Sequence, residues 1–181
     1  MSLEQIWAPW RLAYVKQSPS DGPKSRPAIE CLPGGDPTCF LCQAAVDDAN
    51  PDRHVVCQTE HTLTVLNRFP YNNGHPLVAP RRHCSRLDQL TVEEHGEIMQ
   101  AVSQMVTLLE KVLEPHGFNI GLNLGSASGA GLPGHLHWHV VPRWNGDTNF
   151  MLALAAVKVI PQSLDELYAA LTTTLHQGGS A

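Results

Sequence analysis

The sequence lacks the excess of basic residues that a general nucleic-acid-binding surface needs. Its 12 Lys and Arg stand against 17 Asp and Glu, for a net charge of -5, so no nucleic-acid polymer is expected as a partner. An anionic small molecule would have to find local positive potential, at Arg68, Arg81, Arg82, Arg143 or a helix N-terminus. There is no apolar run of membrane-spanning length, and the polar N-terminus does not read as a secretory signal. A soluble cytoplasmic protein with no membrane partner is expected. Cysteine is sparse and odd in number, with five residues, of which Cys39 and Cys42 have metal-ligand spacing. That combination reads as reduced thiols rather than a disulfide scaffold. At 181 residues, one domain with a full core is the default.

What is present is concentrated in Gly134-His135-Leu136-His137-Trp138-His139-Val140-Val141-Pro142-Arg143-Trp144. Three histidines alternate with apolar residues, the mark of a half-buried β-strand. His135, His137 and His139 would line one surface, spaced roughly 7 Å apart, while Leu136, Trp138 and Val140 pack into the core. A glycine-rich run over 125–131 leads into this strand. Imidazoles beside bare backbone amides suit an oxyanion, most naturally a phosphate. A His-x-His pair on a strand can also hold a catalytic zinc, so a zinc metallohydrolase is an alternative.

The rest of the chain supplies an α+β frame. Residues 1–16 carry Trp7, Trp10 and Tyr14 at irregular spacing and must pack on something, while 17–37 are rich in Pro, Gly and Ser and read as a loop. A short helix is expected at 42–47, then strands at 54–58, 62–67 and 75–79. Between the last two, Asn73-Gly74 favours a turn with positive φ. Thr91-Val92-Glu93-Glu94 is a capping box opening a helix to about 114, with Ile98, Val102, Met105, Val106, Leu109 and Leu113 as its core face. Strands are expected at 118–124, 135–143 and 149–160. Ser163-Leu164-Asp165-Glu166 is a second capping box, with a helix to about 175.

The pattern His-φ-His-φ-His-φ-φ at 135–141, with φ apolar, resembles the histidine triad (HIT) nucleotide-binding family. Leu66-Asn67-Arg68 followed by Gly74-His75-Pro76-Leu77-Val78 resembles its ribose-binding strand, turn and next strand. Trp7-Ala8-Pro9-Trp10-Arg11 is similar to a bacterial branch that includes diadenosine tetraphosphate phosphorylase-like enzymes. The resemblance implies an antiparallel sheet of about five strands with a long helix packed on it. It divides the chain into an arm and loop at 1–38, a HIT domain at 39–144, and a strand and helix extension at 145–181.

The resemblance also implies the site. His137 is the nucleophile on the α-phosphorus of a nucleotide, through a nucleotidyl-histidine intermediate, and His139 assists the leaving group as a general acid. Its candidate nucleotide- and phosphate-binding residues are Asn67, His75, Asn123, Ser128, Gly129 and Gly131, with His75 in support. A structural zinc would be held by Cys39, Cys42, His83 and His135, with Cys84 as a possible substitute, and no organic cofactor is implied. Phe40 and Leu41 are candidate walls of a purine pocket. The substrate class implied is a dinucleoside polyphosphate, with phosphate or water as second acceptor. Phosphorylase, hydrolase of dinucleoside polyphosphates or adenosine phosphoramidates, and non-catalytic nucleotide-binding protein remain open. His at 139 departs from the Gln of fungal phosphorylases and uridylyltransferases, which argues against a hexose-phosphate acceptor. A homodimer or higher homo-oligomer is the family expectation.

Overall fold

A computed structural model describes residues 29–147 and 160–178. The arm at 1–16, with Trp7, Pro9, Trp10 and Arg11, and nearly all of the strand expected at 149–160 lie outside the described residues. Among the described residues five strands form one antiparallel sheet: β1 (Val55–Gln58), β2 (Thr62–Leu66), β3 (Pro76–Pro80), β4 (Gly117–Leu122) and β5 (Trp138–Arg143). Their order across the sheet is β1-β2-β3-β5-β4. Three α-helices among the described residues accompany it: α1 (Phe40–Ala44), α2 (Val92–Leu113) and α3 (Leu164–Gly178). No helix among the described residues is long and apolar enough to cross a membrane.

Both faces of the central strands are buried, because period-two alternation sends successive side chains to opposite cores. Leu66, Val78 and Val140 pack with Ile98, Met105 and Leu109 of α2 and with Leu167 and Leu171 of α3. Leu63, Val65, Leu77 and Ala79 pack on the other side with Leu41 and Ala44 of α1. The expected apolar stripe of α2 therefore faces the sheet. Its N-terminus is closed by the capping box, with Thr91 Oγ1 accepting the Glu94 N–H at 3.2 Å and the Glu94 carboxylate accepting the Thr91 N–H at 2.8 Å. Ser163 and Glu166 make the same reciprocal pair at the start of α3.

The turn between β2 and β3 brings the chain back sharply at Gly74, whose φ is +72. A Cβ there would collide with the Leu113 side chain of α2, so glycine serves both the backbone angle and the close approach. The strand expected at 135–143 begins later than its alternation suggests. The Leu136 N–H donates to the Cys84 carbonyl at 2.6 Å, outside the ladder, and pairing with β3 is confined to His139 and Trp138. His135 and His137 thus precede β5 and lie on irregular backbone, while Leu136, Trp138 and Val140 are buried as expected.

Candidate active site and metal centre

The imidazoles are fixed by hydrogen bonds that settle which nitrogen carries the proton. His137 Nδ1 lies 2.8 Å from the His135 carbonyl, which can only accept, so Nδ1 is the donor and Nε2 keeps its lone pair. His75 is fully buried between β2 and β5. Its Nδ1 receives the Tyr71 N–H at 3.0 Å and faces the Asn67 amide nitrogen at 3.3 Å. His75 Nε2 is then a donor, and its partner at 2.9 Å is His139 Nδ1. His139 in turn must carry its proton on Nε2, a buried atom with no hydrogen-bond partner among the described residues. Burial first, and the neighbouring His137 second, push the His139 imidazole down to about 4, so it is neutral near pH 7. The His137 and His139 rings meet edge to face at 5.0 Å. Tyr71 stacks on His139 at 5.4 Å and 24°, a contact that spacing along the chain does not reveal.

Asn67, 3.3 Å from His75, connects this row to a cavity of about 220 Å³, lined also by Phe40, Ala44, His54, Leu66 and Arg68. Phe40 lines it, whereas Leu41 is fully buried in the core beneath. Asn67 caps its turn, accepting the Phe69 N–H at 2.9 Å, and also faces the cavity. Of the four arginines expected to supply positive potential, Arg82 is committed to Glu94 and Arg143 to Asp147. Arg81 donates to backbone carbonyls, and Arg68 lines the cavity.

Asn123 directly follows β4. The last pair of that strand with β5 is Leu122↔Trp138, so Asn123 leaves the ladder at the end where the triad stretch enters it. In the glycine-rich loop, Ser126–Ser128 form a 3-10 turn ended by Gly129 at φ +83. The Ser128 N–H and hydroxyl both point to the Gly125 carbonyl, and the Gly129 N–H to that of Ser126, so these groups close the turn. Gly131 is exposed at the end of the same loop.

Cys39, Cys42, His83 and His135 bring their ligand atoms within 4.8 Å of one another. Cys39 Sγ lies 3.3 Å and Cys42 Sγ 3.6 Å from His135 Nδ1, and Cys42 Sγ 3.2 Å from His83 Nδ1. A tetrahedral metal with bonds of about 2.0–2.3 Å spaces its donors by about 3.3–3.8 Å, so the four fit one ion. His135 Nε2 donates to the Pro80 carbonyl at 2.8 Å, which leaves Nδ1 as the lone pair facing the thiols. Burial pushes the Cys42 thiol up to about 11. Cys84, a possible substitute ligand by sequence, turns away: its thiol points to the Arg86 carbonyl and Gln89, and it packs in the α2 core. Among the described residues no second group of three such donors includes His137 or His139.

Comparison with known proteins places these features. The AP-4-A phosphorylase of Mycobacterium tuberculosis is 38% identical over 171 residues, covering 94% of this chain and 84% of that one. The asymmetrical bis(5'-nucleosyl)-tetraphosphatase of Schizosaccharomyces pombe is 33% identical over 93 residues, covering 51% and 50%. A crystal structure of a Zn-bound histidine triad family protein from Mycobacterium smegmatis superposes with a TM-score of 0.64 at 26% identity, covering 81% of this chain and 99% of that one. The family model for the HIT domain matches residues 48–146. The chain belongs to the HIT domain family.

Proposed function

We propose that this protein cleaves dinucleoside polyphosphates at the α-phosphorus and passes the nucleotidyl group to inorganic phosphate, as a phosphorylase. The observation that carries this reading is the set of imidazole tautomers. His137 offers a lone pair at Nε2 while its Nδ1 proton is held by a carbonyl. His139 offers a buried Nε2–H that lacks an acceptor among the described residues, a costly arrangement unless a ligand oxygen completes it.

His137 Nε2 attacks the α-phosphorus, a P–N bond forms, and the bridging P–O bond breaks with its electron pair leaving on the nucleoside polyphosphate. The His135 carbonyl steadies the positive charge that the imidazole ring acquires. His139 Nε2–H hydrogen-bonds the bridging oxygen and steadies the charge that grows on it. A polyphosphate leaves as a stable anion near neutral pH, so a hydrogen bond from neutral imidazole is enough to assist it. A phosphate oxygen then attacks the same phosphorus and returns the electron pair to Nε2. The nucleoside occupies the cavity against Phe40, with Asn67 at the ribose. Asn123 and Gly131 contact the phosphates, while Ser128 and Gly129, whose donors close their own turn, shape the 125–131 loop around them.

The similarity to the AP-4-A phosphorylase, which extends over 94% of this chain, favours phosphate as acceptor over water. Diadenosine tetraphosphate incubated with and without inorganic phosphate should yield ADP and ATP only with phosphate. AMP and ATP formed without phosphate would make the protein a hydrolase using the same His137, and no cleavage under either condition would overturn the reading.

The Cys39, Cys42, His83 and His135 cluster is proposed to hold a structural zinc, supported by its donor spacing and by the Zn-bound relative. When bound, the ion cross-links chain segments and supplies no chemistry to the reaction. All five cysteines are free, consistent with a reducing cytoplasm. A homodimer through β4 is proposed because that strand is an edge of the sheet and its Ile120 is 49% exposed. A solution mass of one chain by light scattering would refute it.

A further inference from the structure

Residues 162–168 lie beyond the family match at 48–146, yet they reach the site from two sides. His54 stands in the cavity wall between a 3-10 turn and β1, with φ 52 and ψ 40. Left-handed backbone is uncommon for a non-glycine residue and persists where the surroundings over-determine it. Here the His54 carbonyl accepts the Leu66 N–H at 3.0 Å, and ring Nε2 lies 2.8 Å from Asp165 Oδ1. Tyr168 meets the same ring edge-on at 5.6 Å and 84°. On the other side, the buried Asn73 donates to Gln162 Oε1 at 3.2 Å, and Asn73 belongs to the turn that carries Tyr71 and His75.

These contacts are not what docks α3. Leu167 and Leu171 are fully buried in the main core and hold the helix in place. The Asp165 side chain, by contrast, is 92% exposed, while the His54 side chain it bonds is 12% exposed. Such a carboxylate adds little to packing; besides lying in the first turn of α3, it bonds the His54 ring and sets its orientation.

We propose that residues 162–168 are a positioning element of the nucleotide site. Asp165 and Tyr168 hold the His54 ring against the bound nucleoside, and Gln162 holds the turn from which Tyr71 and His75 reach His139. The inference rests on the reading of the cavity as the nucleoside pocket. It makes the C-terminal helix, outside the family-matched core, a determinant of substrate affinity.

The test is binding of AMP to the full chain by titration calorimetry. Asp165→Ala is expected to weaken AMP about three- to ten-fold, the size of one ordinary net hydrogen bond, because the carboxylate is solvent-exposed. Asp165→Asn, which keeps an acceptor for Nε2–H, should stay within about two-fold of the wild type. In turnover of diadenosine tetraphosphate the Ala variant should raise KM and leave kcat and the melting temperature in place. Unchanged AMP affinity in Asp165→Ala, equal loss in the Ala and Asn variants, or a parallel fall of kcat with the melting temperature would each overturn the inference. Wild-type protein that fails to bind AMP would overturn the pocket reading and this inference together. Wild-type binding without an Asp165 effect would overturn this inference alone.

Discussion

The proton on His139 is placed by a donor chain that begins in the backbone. The Tyr71 N–H fixes His75, and His75 Nε2–H fixes His139 Nδ1. The cost of burying this imidazole appears as its depressed pKa, about 4 in the fold against about 6.5 in an unfolded chain. Between those values the unfolded state takes up a proton that the native state refuses. The contribution to stability is therefore full above pH 6.5 and is lost as the pH falls towards 4. The melting temperature of wild-type protein should fall across that window, and His139→Gln, which has nothing to protonate, should show a shallower slope. Identical slopes would mean that His139 is not the buried neutral group described above. His137 yields a sharper test at the same scale. His137→Ala removes the nucleophile and should lower kcat by about four orders of magnitude or more, while AMP still binds in the cavity. Turnover equal to wild type would dismiss the nucleotidyl-histidine route.

At the scale of elements, α3 is part of the core rather than an appendage. Leu171 is fully buried against the same cluster as Ile98 and Met105 of α2, so Leu171→Ala should cost about 2–5 kcal/mol in chemical denaturation. A loss below about 0.5 kcal/mol would show that the helix does not share the core. Both capping boxes were legible as four-residue patterns because their chemistry is local. The triad stretch shows the limit of that legibility. Period-two alternation correctly buries Leu136, Trp138 and Val140, but it holds for any extended segment, whether or not a ladder partner is present. Only the fold shows that Leu136 bonds Cys84 and that pairing starts at Trp138. The same holds for charge: Arg82 reads as a free cation until Glu94 is seen to hold it in two hydrogen bonds. Nothing in the sequence linked His54 to Asp165, 111 residues away, because such contacts leave no periodic trace.

For the molecule as a whole, the metal cluster joins parts that the sheet alone would leave apart. Cys39 and Cys42 flank the start of α1, His83 follows β3, and His135 precedes β5. His135 serves twice, since its Nδ1 faces the thiols and its carbonyl holds the His137 proton. On the proposed reading, an ion at this centre would stabilise the fold and the tautomer of His137 without touching substrate. Because burial keeps the Cys42 thiol protonated up to about 11 in the metal-free site, zinc must displace protons to bind, and its apparent affinity should fall as the pH falls. Cys39→Ser is expected to lose stoichiometric zinc by metal analysis and to melt at a lower temperature. Its kcat should drop only as far as His135 is loosened, by about ten-fold to a hundred-fold. Full zinc content in that variant would refute the ligand set. Complete loss of cleavage on chelation, in protein that remains folded by circular dichroism, would instead place the metal in the chemistry and restore the metallohydrolase reading.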